Sequence, residues 1–263
     1  MAGSEDKPGS RGGSLGASPA EPTQPGAAEE RDTHELIEDA LRNLWAVAND
    51  LSRIKPPASE AYRVTIFGSA RIAPGEPWYQ QAKWLARELA VRGCDIVSGG
   101  GPGLMQAANE GCNEGDPGDH VRSIGIRVAL PFEQNANPFI EQLYTHRTFF
   151  TRLHQFVRLS SAFVVMGGGV GTLLEMAMVW QLLQVRQLTG VPLILVGEMW
   201  RTLRDWARDQ MIERASHPFA SPADIEIPIC VDSVEAALAR LEPEIMRFRQ
   251  ERARLSGEKE PRP

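Results

Sequence analysis

Apolar and polar positions follow two alternating periods along most of the chain. Short apolar runs closed by glycine, proline or polar residues predict β-strands, and longer segments with apolar residues three or four positions apart predict α-helices. The predicted strands are 63–67, 95–98, 123–130, 143–148, 162–166, 191–196 and 227–231. The predicted helices are 34–53, 77–92, 104–114, 149–160, one from the glycines at 167–171 to about 187, 200–214 and 233–252.

Regular alternation of strand and helix predicts an α/β fold with a parallel sheet covered by helices on both faces, a Rossmann-like three-layer sandwich. Residues 1–31 are rich in Gly, Ser, Pro, Ala and Glu and are predicted to be a disordered tail. Residues 32–57 predict an extra N-terminal helix with a linker, 58–255 a single Rossmann-like domain, and 256–263 a frayed tail.

Composition narrows the range of partners. Hydrophobic residues make up 42% of the chain, which is ordinary for a globular protein, and the formal net charge is −6. Without a basic run or an apolar run of membrane length, neither nucleic acid nor a membrane is an expected partner. The three cysteines form no CxxC pair, which is typical of reduced thiols and predicts a cytoplasmic location.

Four loops follow predicted strands, at 68–69, 99–103, 131–134 and 167–172. Ligands of parallel sheets bind beyond the carboxyl ends of the strands, so the four loops are expected to converge on one site. Two of them contain three consecutive glycines between a strand and a helix. Glycines allow close approach to the backbone, and a helix N-terminus offers free N–H groups and a partial positive charge. This pattern predicts a site for a nucleotide or a sugar phosphate.

The common alternatives fail on their sequence requirements. No lysine follows Gly171, so the loop is not a P-loop, and residues 68–71 read GSAR rather than the GxGxxG of a dinucleotide fold. The four lysines of the chain lie outside the candidate loops, which opposes a pyridoxal Schiff base. His146 and His154 lack metal-ligand spacing and are interpreted as structural or solvent-facing. We therefore expect neither a cofactor nor a metal.

Two charged residues accompany the glycine loops. Glu175 is expected in the first turn of an otherwise apolar helix, and Arg152 in the first turn of the preceding helix. The spacing alone leaves both roles open, because an acid near a helix N-terminus also complements the helix dipole and an arginine is often a surface residue.

Several motifs together resemble the LOG ("lonely guy") family, the cytokinin riboside 5'-monophosphate phosphoribohydrolases. Residues 98–111 resemble its triple-glycine loop and GLM helix, and 168–175 resemble its PGGxGTxxE motif. Residues 67–71, 130–134 and 149–152 are similar to the longer bacterial branch, and the resemblance extends over about 62–209.

The resemblance implies hydrolysis of the N-glycosidic bond of a nucleoside 5'-monophosphate, AMP or a cytokinin riboside monophosphate, to a free base and ribose 5-phosphate. It implies Arg152 and Glu175 as the catalytic pair, with Arg152 bonded either to Glu175 or to the substrate. It also implies a homodimer or higher homo-oligomer, with the helix after 168–175 near the subunit contact. The implied phosphate- and nucleotide-binding residues are Ser69, Gly100, Gly101, Gly103, Met105, Gly168, Gly169, Gly171 and Thr172.

Two positions depart from the family pattern: Gly167 replaces the proline of PGG, and Leu153 replaces the lysine that commonly follows the arginine. These departures concern substrate preference and turn stability rather than the fold. The alternative function is a nucleotide- or molybdenum-cofactor-binding protein without turnover. The retained Arg152 and Glu175 favour the enzyme, because a protein that only binds needs no more than the glycine loops.

Overall fold

The computed structural model of the protein describes residues 61–129 and 136–256. The predicted N-terminal tail and helix, the loop at 131–134 and residues 257–263 lie outside this part of the chain. None of the described helices is long and apolar enough to cross a membrane. The three cysteines, Cys94, Cys112 and Cys230, are free thiols.

Within the described residues, seven parallel strands form one sheet in the order β4-β3-β2-β1-β5-β6-β7. The strands are β1 (Tyr62–Phe67), β2 (Cys94–Ser98), β3 (Ser123–Val128), β4 (Gln142–His146), β5 (Ala162–Val165), β6 (Leu193–Val196) and β7 (Ile229–Val231). Each strand corresponds to a predicted one. β6 and β7 begin two residues later than predicted, each directly after a proline, Pro192 or Pro228. Proline has no N–H to donate to the ladder, so regular pairing starts beyond it.

The helices agree with the sequence pattern less closely than the strands do. They are α1 (Pro77–Val91), α2 (Leu104–Gly115), α3 (Phe149–Leu159), α4 (Val170–Gln184), α5 (Glu198–Arg208), α6 (Pro222–Ile225) and α7 (Val234–Ser256). The helix predicted over 200–214 is α5 followed by a π-helical turn at Asp209–Glu213. The short α6 was not predicted. Ser221 and Asp224 form a capping box at its N-terminus.

Helices cover both faces of the sheet, as the alternating pattern predicts. Residues of α1, α2 and α7 pack on one face, against Val64 and Ile66 of β1 among others. Residues of α3, α4 and α5 pack on the other face, where Phe67 of β1 contacts the rings of Phe156 and Phe163. Side chains of a strand alternate between faces, so β1 contributes to both layers of core. The Rossmann-like α/β prediction is confirmed.

The strand order reverses between β1 and β5. From β1 the chain proceeds through β2 and β3 to β4 on one side, and from β5 through β6 to β7 on the other. The helices that follow β1 and β5 therefore pack on opposite faces of the sheet, which opens a crevice at this point. The loops at 68–69 and 167–172 follow these two strands.

Candidate functional site

Three of the predicted loops meet at the crevice between β1 and β5. The backbone N–H of Ser69 donates to the carbonyl of Gly167 at 3.1 Å, and the N–H of Leu104 donates to the carbonyl of Ser69 at 2.9 Å. Ser69 thus joins the two triple-glycine loops. The structure brings together the sequence-predicted residues around it, whereas the fourth predicted loop, at 131–134, lies outside the described residues.

Gly103 can only be glycine in this arrangement. Its φ is +71°, in the left-handed region, and a Cβ at this position would overlap the backbone of Ser69 and Ala70. The loop after β2 therefore presses directly on the loop after β1.

The loop after β5 exposes the first turn of α4. Gly169 is the N-cap residue and offers no side chain to the free N–H groups of this turn. Positions for a Cβ at Gly169 and at Gly171 are open, with no heavy atom within 4 Å. Thr172 is buried against Gly168, where any side chain would overlap it. The first turn of α4 therefore presents backbone N–H groups next to open space, an arrangement that suits an anion.

Arg152 and Glu175 form a buried ion pair next to this loop. Nη1 of Arg152 donates to Oε1 of Glu175 at 2.8 Å, and the side chains are only 12% and 10% exposed. Arg152 Nε also donates to the carbonyl of Ile126 at 2.8 Å, and its guanidinium lies 5.1 Å from the ring centre of Phe156. A charge held from three sides has little freedom, so the carboxylate it binds is also fixed.

Glu175 lies in the second turn of α4, because the helix begins at Val170. The expected first-turn position was wrong. Burial raises the pKa of Glu175, and the positive charge and hydrogen bond of Arg152 lower it in part. The hydrogen bond from Arg152 is accepted by Oε1 of Glu175.

The glycine loop after β2 reaches the ion pair through Gly99. A Cβ at Gly99 would lie 2.5 Å from both Nη2 of Arg152 and Sδ of Met105. Met105 also covers Gly101, where a Cβ would be 2.9 Å from its terminal methyl group. Gly99 was not among the predicted site residues, although its place in the triple glycine was a usable signal.

His146 lies near the ion pair without joining it. Its Nε2 is buried and has no hydrogen-bond partner among the described residues. Burial, followed by the charges of Arg152 and His154, lowers the pKa of His146. Within the described ranges, no three His, Cys, Asp or Glu side chains cluster in a way that suits a metal ion.

The structure shows what surrounds the two residues that depart from the family pattern, Gly167 and Leu153. Gly167 does not have a left-handed φ, and a Cβ there would make ordinary contact with Trp78 at 3.7 Å. Leu153 is buried in α3, directly after Arg152.

Comparison with known proteins identifies the family. The sequence family described as possible lysine decarboxylase matches residues 105–241, just over half of the chain. The chain belongs to this family, and the predicted resemblance is confirmed.

Curated relatives are similar at modest identity. A cytokinin riboside 5'-monophosphate phosphoribohydrolase of Arabidopsis thaliana is 26% identical over 187 residues, which cover 70% of this chain and 83% of that protein. A pyrimidine/purine nucleotide 5'-monophosphate nucleosidase of Escherichia coli K12 is 29% identical over 125 residues, 45% of this chain. The match spans only 28% of the length of the E. coli protein.

Solved structures share the fold. The molybdenum cofactor binding protein of Rippkaea orientalis aligns with a TM-score of 0.51 at 18% identity, over 71% of this chain and 98% of that protein. A molybdenum cofactor carrier protein of Chlamydomonas reinhardtii aligns with a TM-score of 0.50, also at 18% identity, over 70% and 98%. At this identity the likeness establishes the fold alone.

Proposed function

We propose that the protein hydrolyses the N-glycosidic bond of a nucleoside 5'-monophosphate, AMP or a cytokinin riboside monophosphate, to a free base and ribose 5-phosphate. The observation that carries the proposal is the buried Arg152–Glu175 pair at the crevice where both glycine loops meet. The E. coli and Arabidopsis relatives, both named as enzymes that act on nucleoside 5'-monophosphates, support it.

In this proposal the 5'-phosphate binds at the start of α4. Its oxygens accept hydrogen bonds from the uncapped backbone N–H groups, and the helix dipole favours their charge. The residues that bind the phosphate are Gly168, Gly169, Gly171 and Thr172. Binding energy at the phosphate holds the ribose in place, away from the bond that breaks.

The nucleoside part lies against the other two loops. Ser69, Gly100, Gly101, Gly103 and Met105 line it, and the absence of side chains at the glycines permits close approach of the sugar and base. Met105 supplies the polarisable apolar surface of this wall.

Cleavage breaks the bond between C1' of the ribose and the base nitrogen, whose electron pair stays with the base. Positive charge develops on the sugar, and the carboxylate of Glu175 stabilises it. A water molecule forms the new C1'–O bond and releases a proton, and the leaving base gains one. Arg152 opposes the effect of burial, so that Glu175 is kept ionised and oriented.

Incubation with AMP, followed by chromatography of free adenine, tests the proposal. We expect Glu175→Gln to lower the rate by about a hundredfold or more, because the amide carries no charge to stabilise the transition state. Glu198→Gln is the matched control, since Glu198 lies in the first turn of α5 with a side chain 75% exposed. Equal rates for Glu175→Gln and wild type would refute the catalytic assignment, and AMP binding without adenine release would favour the carrier function.

We also propose that the chain forms a homodimer or a higher homo-oligomer through α4. This helix exposes apolar side chains along one side, among them Val170 at 83% and Leu174 at 48%. Leu173 of the same helix and Val185, which directly follows it, are also exposed. A run of exposed apolar residues on one helix is typical of a protein–protein contact.

A further inference from the structure

Asn137 donates hydrogen bonds to the glycine loop after β2. Its backbone N–H donates to the carbonyl of Gly100 at 3.0 Å, and its side-chain Nδ2 donates to the carbonyl of Gly101 at 3.1 Å. Asn137 is only 7% exposed. A buried side chain thus holds the backbone of two consecutive glycines, both of which the proposed function places against the nucleotide.

A closed hydrogen-bond network fixes the Asn137 side chain itself. The second hydrogen of Nδ2 is donated to Oδ1 of Asn109 at 3.0 Å, and Oδ1 of Asn137 accepts from the N–H of Phe139 at 3.2 Å. Asn109 Oδ1 also accepts from the Ser98 hydroxyl at 2.6 Å, and Asn109 Nδ2 donates to the Ser123 hydroxyl at 2.9 Å. Such fully satisfied buried networks rigidify the groups they connect.

The glycine loop depends on contacts of this kind because it has no side chains with which to hold itself. Gly100 has a φ of +73°, and a run of glycines loses much conformational entropy when it is ordered. The side-chain tethers on Gly100 and Gly101 in the described structure are the Ser98 hydroxyl, which accepts from the N–H of Gly100 at 3.0 Å, and the Asn137 amide. Asn137 adds a backbone tether to Gly100.

We propose that Asn137 is a positioning residue that holds the Gly99–Gly103 loop in the conformation that receives the nucleotide. The inference rests on the proposed function for the identity of the ligand, and on the hydrogen bonds alone for the tether. Loss of the tether lets the loop depart from the nucleotide wall, while the Arg152–Glu175 pair keeps its own partner at Ile126. The effect is therefore expected mainly in KM and less in kcat.

The test replaces Asn137 by aspartate or by alanine. Asn137→Asp keeps the shape but sets carboxylate oxygens against the Gly101 carbonyl and Asn109 Oδ1, so two donated hydrogen bonds are lost; Asn137→Ala is the second variant if the first does not fold. We expect KM for AMP to rise about tenfold or more, with a smaller change in kcat. We also expect faster amide hydrogen exchange at 99–103.

Ser160→Ala is the matched control. It removes a buried hydroxyl that contacts Thr65 Oγ1 at 2.5 Å and donates to the Phe156 carbonyl at 2.6 Å, next to the amino end of β5. This variant is expected to leave KM and the exchange at 99–103 unchanged. An equal rise in KM for Ser160→Ala, or wild-type KM and exchange in both Asn137 variants, would overturn the proposal. If wild type neither binds nor cleaves nucleoside monophosphates, the proposed function fails, and hydrogen exchange still decides whether Asn137 tethers the loop.

Discussion

Arg152 and Glu175 carry opposite charges in a buried position, where each charge alone would be unfavourable. Removing a charge from water is costly, and the cost is offset here by the 2.8 Å contact between the two groups and by the carbonyl of Ile126. Burial nevertheless outweighs the effect of Arg152 on Glu175, so the pKa of Glu175 stays above its usual range. In the proposed reaction this pair sets the protonation state of the catalytic carboxylate.

The pH dependence of kcat/KM follows from this balance. The ionised carboxylate is the active form, so activity falls when the pH drops through the pKa of Glu175. Because this pKa is raised, the fall in activity on the acid side occurs at a higher pH than for an ordinary glutamate. Arg152→Gln removes the charge that lowers the pKa, so the residual activity should show an acid limb at still higher pH. Arg201→Gln on α5, where Arg201 pairs with exposed Glu198, should leave the limb in place. Superimposable limbs for Arg152→Gln and wild type would argue against an ionised Glu175.

The sequence indicated these two residues and left open whether Arg152 pairs with Glu175 or with the substrate; the structure shows the contact with Glu175. Arg152 and Glu175 are 23 positions apart, and each had an ordinary interpretation as a surface arginine or a helix-dipole acid. Their pairing depends on the packing of α3 and α4 on the same face of the sheet, which no local pattern encodes.

The glycines of the two triple-glycine turns differ in what lies next to them. In the turn after β2, Gly99 makes room for Arg152 and Met105, and Gly103 makes room for the loop after β1. In the turn after β5, Gly169 and Gly171 face open space. One turn thus brings parts of the protein together, and the other leaves its backbone open.

Alanine substitutions should separate these purposes. In Gly99→Ala the new methyl group would overlap Arg152 and Met105, so we expect the guanidinium to move and the rate of base release to fall by about tenfold or more. Gly167→Ala adds a methyl group in ordinary contact with Trp78 and should raise the free energy of unfolding by about 0.4–1 kcal/mol. Adenine release and chemical denaturation measure the two effects. A fully active Gly99→Ala protein, or a Gly167→Ala protein less stable than wild type, would contradict this account.

Helices were harder to predict than strands wherever they are short or irregular. The four residues of α6 are too few for a 3.6-residue period to be visible, and its capping box was the available signal. The π-helical turn at Asp209–Glu213 interrupts a segment whose apolar pattern continues through it. Asn137 was missed because it lies in an irregular segment, where polar residues are common and their burial is not apparent.

At the scale of the whole molecule, α4 contributes to both the site and the surface. Glu175 and Met176 face inward from this helix, whereas Val170 and Leu174 are exposed. The helix is apolar on nearly every side, and the family resemblance placed it near the contact between subunits. The described chain covers only part of it, which is the basis of the proposed contact between subunits.

Leu174→Glu should reduce the proposed oligomer to a monomer. A charge in the centre of an apolar contact between two copies must be removed from water without a partner, which costs several kcal/mol. Sedimentation velocity measures the mass. Val91→Glu is the control, because Val91 of α1 is 64% exposed and lies on a different helix. The contact through α4 is ruled out if wild type is monomeric or if Leu174→Glu keeps the wild-type mass.

The sequence by itself determined the strands, the longer described helices, the α/β class and the family, because hydrophobic periodicity and glycine turns are local properties of the chain. It also indicated that the candidate loops share one edge of the sheet, since every one of them follows a strand. Tertiary structure alone decided the strand order, with its reversal between β1 and β5, and the contact of Arg152 with Glu175. It also decided the tether from Asn137 to the glycine loop. These features join residues distant in sequence, and their geometry is set by how helices pack on the two faces of one sheet.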